Sequence, residues 1–434
     1  MPTTTFTRFI SVLIASTGFM SQQHANAQTM SHPDAVSPMK SNPYFRHANA
    51  WRWDLRSQVI LQAGIYYRNN SGFREELSAT WDIQDFEYIY PIVRQGGFYW
   101  SPNEDIQTVL RIDNVQYTPE PEILQTPDSH AKYVWWRSNQ RDTRTRHLYF
   151  SQVSHIVTAD TVFDEKLAKE IPWPQTWPEE ATLFLTPTID RISDPIDPEG
   201  QDQLVRLVDQ WTEGNDPKSI SQVTLTKYLT GKVLDYVRVE RGQSQLAPTL
   251  HIGAIRSFVN GFSSSPLSSW SGFNVRSADQ VALDPAGSSM LDMSMLLTAV
   301  LRTAGVPART VVCYDNSIKI TLDERIIVIV EFALYDKARD QILWIPIDLD
   351  RLRDNGRGAN VYEQNWDYFG THDYLHNVIP VSYYFHPPVN YKAYGFPGLY
   401  GIKTTPDIGN GVTQILSVDV MNTPQTIDDY KPKP

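Results

Sequence analysis

The stretch from Ser288 to Arg309, SSMLDMSMLLTAVLRTAGVPAR, constrains the fold more than any other part of the chain. Ser288 and Ser289 suit the cap of a helix, because a side-chain oxygen there accepts from a backbone N–H that has no partner within the helix. Gly305 stands where a C-terminal glycine ends a helix, and Pro307 stops its continuation. Between them Met290, Met293, Leu297, Val300, Leu301 and Ala304 form an apolar stripe at helical spacing, and Leu291, Met295, Leu296 and Ala299 widen it nearly all the way round. A helix apolar on almost every side must be wrapped by other elements, so a central buried helix is expected. Thr310 to Tyr314 (TVVCY) reads as the strand that follows it.

The 434 residues give room for two or three domains with cores of their own. The 12 Trp, 22 Tyr, 17 Phe and 29 Pro favour β-rich domains with structured connections over a helical bundle. Strands are expected at Ser57–Ala63, Glu87–Val93, Asp105–Ile112, Tyr133–Arg137 and His147–Val157, separated by turn-like breaks such as Asn69-Asn70-Ser71-Gly72 and Gly96-Gly97. Together they predict a β-sandwich over 51–186, after a flexible lead-in over 28–50. Ile171 to Pro178 (IPWPQTWP) excludes helix and interior strand; its tryptophans suit surface packing, or else a sugar-stacking platform. Helical spacing recurs over Gln201–Glu213 and Ile220–Leu234, and Asp235–Glu240 (DYVRVE) reads as a strand.

The first 27 residues read as a secretory signal peptide: Arg8, an apolar run from Phe9 to Met20, and Ala25-Asn26-Ala27 before Gln28. The run falls short of the roughly 20 apolar residues that span a bilayer, so export to a bacterial periplasm or beyond is expected, with no integral span after cleavage. Cleavage removes Arg8 and no acid, moving the formal net charge from -11 to -12. That balance argues against nucleic acid and anionic membrane surfaces as partners. Cys313 is the only cysteine, so no disulfide forms within the chain. Its place in a core strand suits a small buried hydrophobe.

Arg302-Thr303-Ala304-Gly305-Val306-Pro307-Ala308-Arg309 resembles the Arg-x-x-Gly-Ile-Pro-Ala-Arg end of the central segment in the bacterial transglutaminase-like superfamily, which has the papain-like cysteine fold. The resemblance covers about 183–350. It implies a core at 187–352, with the buried helix packed on an antiparallel sheet, behind the sandwich in an α+β chain; 353–434 would be an aromatic and Pro-rich extension wrapping that core. In the family a cysteine at the helix N-terminus pairs with a histidine on a following strand, and an aspartate orients the histidine. Aligned on Arg302, the cysteine position is Met290, and Asp292 takes a family aspartate. Ile327-Val328-Ile329-Val330-Glu331 followed by Trp344-Ile345-Pro346-Ile347-Asp348 resembles the family's two strands; aligned on Glu331, the histidine position is Ile327, and Asp348 matches the third member of the triad. No histidine occurs between His251 and His372.

A thioether cannot become a thiolate, so no intact catalytic set is expected and no cofactor is called for. The resemblance then implies a secreted pseudoenzyme that binds a polypeptide or cell-envelope component; the sequence leaves the oligomeric state open. Two alternatives stand beside it. One is a divergent hydrolase or acyltransferase using Ser289, flanked by Asp292, with a histidine folded back from His372 or His376. The other is a structural envelope-assembly protein. Asn365 to His376 (NWDYFGTHDYLH) resembles a Phe-Gly-x-His segment seen after such cores, and His372, His376 and His386 are weak candidates for metal ligands. Arg302 and Arg309 read as makers of structural salt bridges or carbonyl contacts.

Overall fold

The computed structural model describes residues 42–63, 66–68, 74–76, 81–83, 85–91, 93, 95–101, 107–112, 115–117, 122–125, 132–138, 143–145, 147–186, 198–240, 246–248, 258–259, 262–263, 270–273, 275–317, 326–356, 364–383, 401–405, 412–420 and 425–426. The signal segment and the first part of the lead-in lie outside the described residues. The architecture is α+β, with helices beside mainly antiparallel sheets.

The largest sheet is built on β1 (Phe45–Ala63) and β2 (His147–Phe163), paired antiparallel from Phe45↔Phe163 to Gln62↔His147. One extra residue on β1 shifts the register between Ala48 and Trp51. Asn49 takes up this bulge at φ 47, in the left-handed region that asparagine tolerates better than most side chains. β1 begins inside the stretch read as a lead-in. Gln107–Ile112 continues the sheet beyond β2, and Val412–Val420 continues it on the far side of β1. Phe258–Val259 then joins parallel to Val412–Val420. A second sheet places Asp85–Pro91 between Lys132–Ser138 and Gly401–Thr405. The N-terminal strands thus share their sheets with chain from the middle and the end. Sequence patterning shows strands, but it does not show such distant partners.

Two expected helices form as α1 (Pro198–Trp211) and α2 (Gln222–Tyr236). The strand expected at Asp235–Glu240 does not form: α2 runs through Tyr236, and Val239 makes only an isolated bridge to Ser288. Val237, extended at φ -84 and ψ 123, ends the helix by donating its backbone N–H to the Val233 carbonyl. Ile171–Pro178 is neither helix nor strand, and Trp173 Nε1 donates to the Ile220 carbonyl at 2.7 Å. After α3 (Ala278–Leu283) comes α4 (Met290–Thr303), in which every residue from Leu291 to Arg302 is buried. It ends at Gly305, whose φ of 83 is one that side chains beyond glycine rarely adopt.

α4 packs against α1, α2 and α3 and against two strands of the core sheet. That sheet has the antiparallel order β5–β4–β3–β6, from β3 (Ala308–Asp315), β4 (Ile326–Asp336), β5 (Gln341–Ile347) and β6 (Val378–Ser382). A buried ion pair fastens it to the 95–100 loop. Arg309 Nη2 lies 2.8 Å from Glu331 Oε2 and donates to the Gln95 carbonyl at 2.8 Å, while Gly97 N donates to Glu331 Oε1 at 2.6 Å. Arg302 Nε donates to the Ala308 carbonyl at 2.6 Å. Both arginines have the structural roles read from the sequence. No helix among the described residues is long and apolar enough to cross a membrane.

Candidate functional site

The start of α4 is closed by a capping box. Ser289 Oγ accepts from Asp292 N at 3.1 Å, and Asp292 Oδ2 accepts from Ser289 N at 2.9 Å. Asp292 also accepts from Arg276 N at 2.7 Å, and Arg276 Nη2 donates to Ser288 Oγ at 2.5 Å. Ser288, Ser289 and Asp292 are all buried in this network. Gly287, at φ 62, makes the left-handed turn that leads into it.

Met290, the first helical residue, is partly buried, and its sulfur accepts from Arg353 Nη1 at 3.1 Å. It lines a small cavity of about 50 Å³ together with Ser294, Asp315, Ile327, Asp348 and Arg351. Positions 290, 327 and 348 come from α4, from β4 and from just beyond β5, yet they meet at one place.

Asp348 is 4% exposed, and burial raises its carboxyl above the usual range, against the pull of its hydrogen bonds. Oδ1 accepts from Arg351 N at 3.0 Å and caps the turn Leu349–Arg351. Oδ2 accepts the Tyr374 hydroxyl and lies 3.7 Å from Arg351 Nε. The Arg351 guanidinium sits 3.5 Å from the centre of the Tyr374 ring. Tyr374 thus fills a donor role at Asp348, while Ile327 presents only hydrocarbon to the cavity.

The segment carrying Tyr374 is pinned at two points. At one, Lys227 Nζ donates to Glu165 Oε2 at 2.5 Å, to the Gln364 carbonyl and across the Trp366 ring, while Trp366 N donates to Glu165 Oε1 at 3.0 Å. At the other, His376 Nδ1 lies 2.7 Å from Asp160 Oδ1, and its backbone N donates to the same oxygen at 3.1 Å.

The remaining sequence candidates are dispersed. His372 is buried, with Nε2 3.1 Å from the Pro346 carbonyl, and burial lowers its pKa to about 4. His376 turns to Asp160, and Asn377 Nδ2 lies 2.7 Å from its Nε2. The four-residue spacing does not become a helical turn, because only Leu375–Asn377 coils, as a single 3-10 turn. His386 lies outside the described residues. Among the described residues no group of three His, Cys, Asp or Glu could hold a metal ion. The Ser289 hydroxyl is spent on the cap, and neither His372 nor His376 hydrogen-bonds it. Cys313 is fully buried, its thiol pushed well up by burial.

Sequence reasoning passed over Tyr374, Asp315 and Arg353. Tyr374 carries no motif, and its link to Asp348 spans 26 residues. Asp315 closes β3 at 1% exposure, and an acid at the end of an apolar strand was the available signal.

No protein-family model matches the chain, and no curated protein does. Among solved structures, it is similar to a candidate cysteine protease from Cytophaga hutchinsonii, at 12% identity and a TM-score of 0.43, over 89% of this chain and 95% of that one. It is also similar to the periplasmic domain of TgpA from Pseudomonas aeruginosa, at 12% identity and a TM-score of 0.24, over 69% of this chain and 90% of that one.

Proposed function

We propose that this chain is an exported, non-catalytic member of the transglutaminase-like superfamily, with a β-sandwich at 51–186 ahead of a core at 187–352. It keeps the remnant of an active-site groove and uses it to bind a polypeptide or cell-envelope component. The observation that carries the reading is the meeting of Met290, Ile327 and Asp348 at one cavity. The positions that the resemblance assigns to Cys, His and Asp adjoin as they would in an enzyme, but as a thioether, an alkyl group and a carboxyl. Acyl transfer through a thioester needs a thiolate and a base, and neither side chain supplies one. The Tyr88 and Phe150 rings, 4.3 Å apart between the two N-terminal sheets, support the sandwich.

Two measurements test the reading. A glutamine-peptide acyl donor should give no covalent adduct and no turnover with the purified chain. Turnover that is lost on Met290→Ala or Asp292→Asn would sink the non-catalytic assignment. A photo-crosslinking residue at Ile327 should capture an envelope polypeptide, and the same residue at the exposed Val115, on the large sheet, should not. Equal capture at both positions would sink the assignment to the groove.

A further inference from the structure

We propose that Met290 is a reversible oxidation site, whose sulfoxide oxygen is received by Arg353 at the N-terminus of α4. A thioether is a weak acceptor, yet a charged guanidinium nitrogen points at this one from 3.1 Å. Arg353 is no idle surface group: it also reaches Asp350 at 3.3 Å and Asp354 at 3.4 Å. A charged donor suits an oxygen carrying partial negative charge better than it suits sulfur. Arg353 is 26% exposed and has room to withdraw by the length of an S–O bond.

The step is a two-electron oxidation by a hydroperoxide. A sulfur lone pair attacks the terminal peroxide oxygen, the O–O bond breaks, and the leaving oxygen takes the proton to depart as water or an alcohol. Oxidation ordinarily disrupts a packed core by making an apolar side chain polar. Here the new oxygen meets a donor already in place. The chain carries its own controls, since Met293 and Met295, one turn further along the helix, are 0% exposed. The change adds a polar group to the wall of a cavity already lined by Asp315, Asp348 and Arg351, so ligand occupancy becomes sensitive to peroxide. The chemistry at sulfur is measurable whether or not the cavity binds a polypeptide.

The test is peroxide treatment of the full chain with peptide-resolved mass spectrometry. Met290 should oxidise at least about ten-fold faster than Met293 and Met295, and as predominantly one sulfoxide epimer, cleared by only one of the two epimer-specific reductases. Arg353→Gln should give both epimers, and Arg353→Lys should restore the preference. Exposure alone also favours Met290, so the epimer ratio decides. An equal mixture in the unaltered chain, or an unchanged ratio in Arg353→Gln, overturns the proposal. So does oxidation of Met290 no faster than of the two buried methionines.

Discussion

The Tyr374 hydroxyl donates to the Asp348 carboxyl, 26 residues away, and so occupies the acid that lies beside Ile327 in the cavity. Burial raises the Asp348 pKa, and the tyrosine offsets part of that rise. Tyr374→Phe should raise it further and cost about 1–3 kcal/mol, the usual range for leaving a buried acceptor unpaired. A carboxyl whose folded pKa lies above its unfolded value contributes least above the folded pKa. The loss should therefore be largest at neutral pH and shrink in acid. Urea unfolding of both proteins at pH 7 and pH 4 measures it.

Met290→Cys should place a reactive thiol at the start of α4. The helix N-terminus and the Arg353 guanidinium both favour a thiolate there, and should place its pKa below the ordinary value of about 8.5. Iodoacetamide labelling against pH reads this directly. Cys313, fully buried and with its thiol pushed up, serves as the unreactive internal control. Acyl-donor turnover should stay absent, because Ile327 supplies no base.

Arg309→Met should be strongly destabilising, by about 3–5 kcal/mol, because Glu331 is 0% exposed and would be left charged without its partner. Burial already raises the Glu331 pKa. Arg309→Met with Glu331→Leu should recover most of the loss. The same pair holds Gln95 and Gly97, so proteolysis between positions 95 and 100 should rise in the single variant and stay high in the double, which lacks both anchors.

α4 was legible because its signals are local: a serine cap, an unbroken apolar surface and a glycine-proline stop. β3 was legible from its apolar, β-branched run after the Pro307 stop, while β4 and β5 were picked out by their resemblance to the family's two strands. Positions 290, 327 and 348 were singled out by the resemblance to the family's motifs, and no local signal shows that they share a cavity. The donor at Asp348 was not legible, since it depends on how a loop beyond β5 lies across the site. Nor was the sharing of β1 with Val412–Val420, which pairs residues as distant in the chain as Leu55 and Val420. The four-residue spacing of His372 and His376 misled for a related reason: their segment is pinned to Glu165 and Asp160 and never forms an α-helical turn.

Acid should destabilise the fold in a defined window. Burial lowers the pKa values of His47 and His372 from 6.5 to about 4. A group with a depressed folded pKa binds its proton more readily when unfolded, so stability is complete above about 6.5 and falls as pH drops toward 4. Each histidine accounts for up to about 3 kcal/mol across the window. The raised carboxyls of Asp348 and Glu331 act in the opposite sense and blunt the fall. Unfolding free energies from pH 7 to pH 4 should therefore decline less steeply in His47→Gln and His372→Gln than in the unaltered chain.

Ser289 separates a cap from a nucleophile. Its hydroxyl accepts from Asp292 N at 3.1 Å, so Ser289→Ala should remove a helix cap and cost about 1 kcal/mol. Asparagine caps helices as well as serine does but has no hydroxyl, so Ser289→Asn should restore most of the stability. If Ser289 were a nucleophile, alanine and asparagine would both abolish turnover of an ester or amide substrate, whatever their stability. Thermal unfolding beside an esterase assay on the three proteins distinguishes the two roles. The expected result is a stability order of serine, asparagine, alanine, with no serine-dependent turnover in any of them.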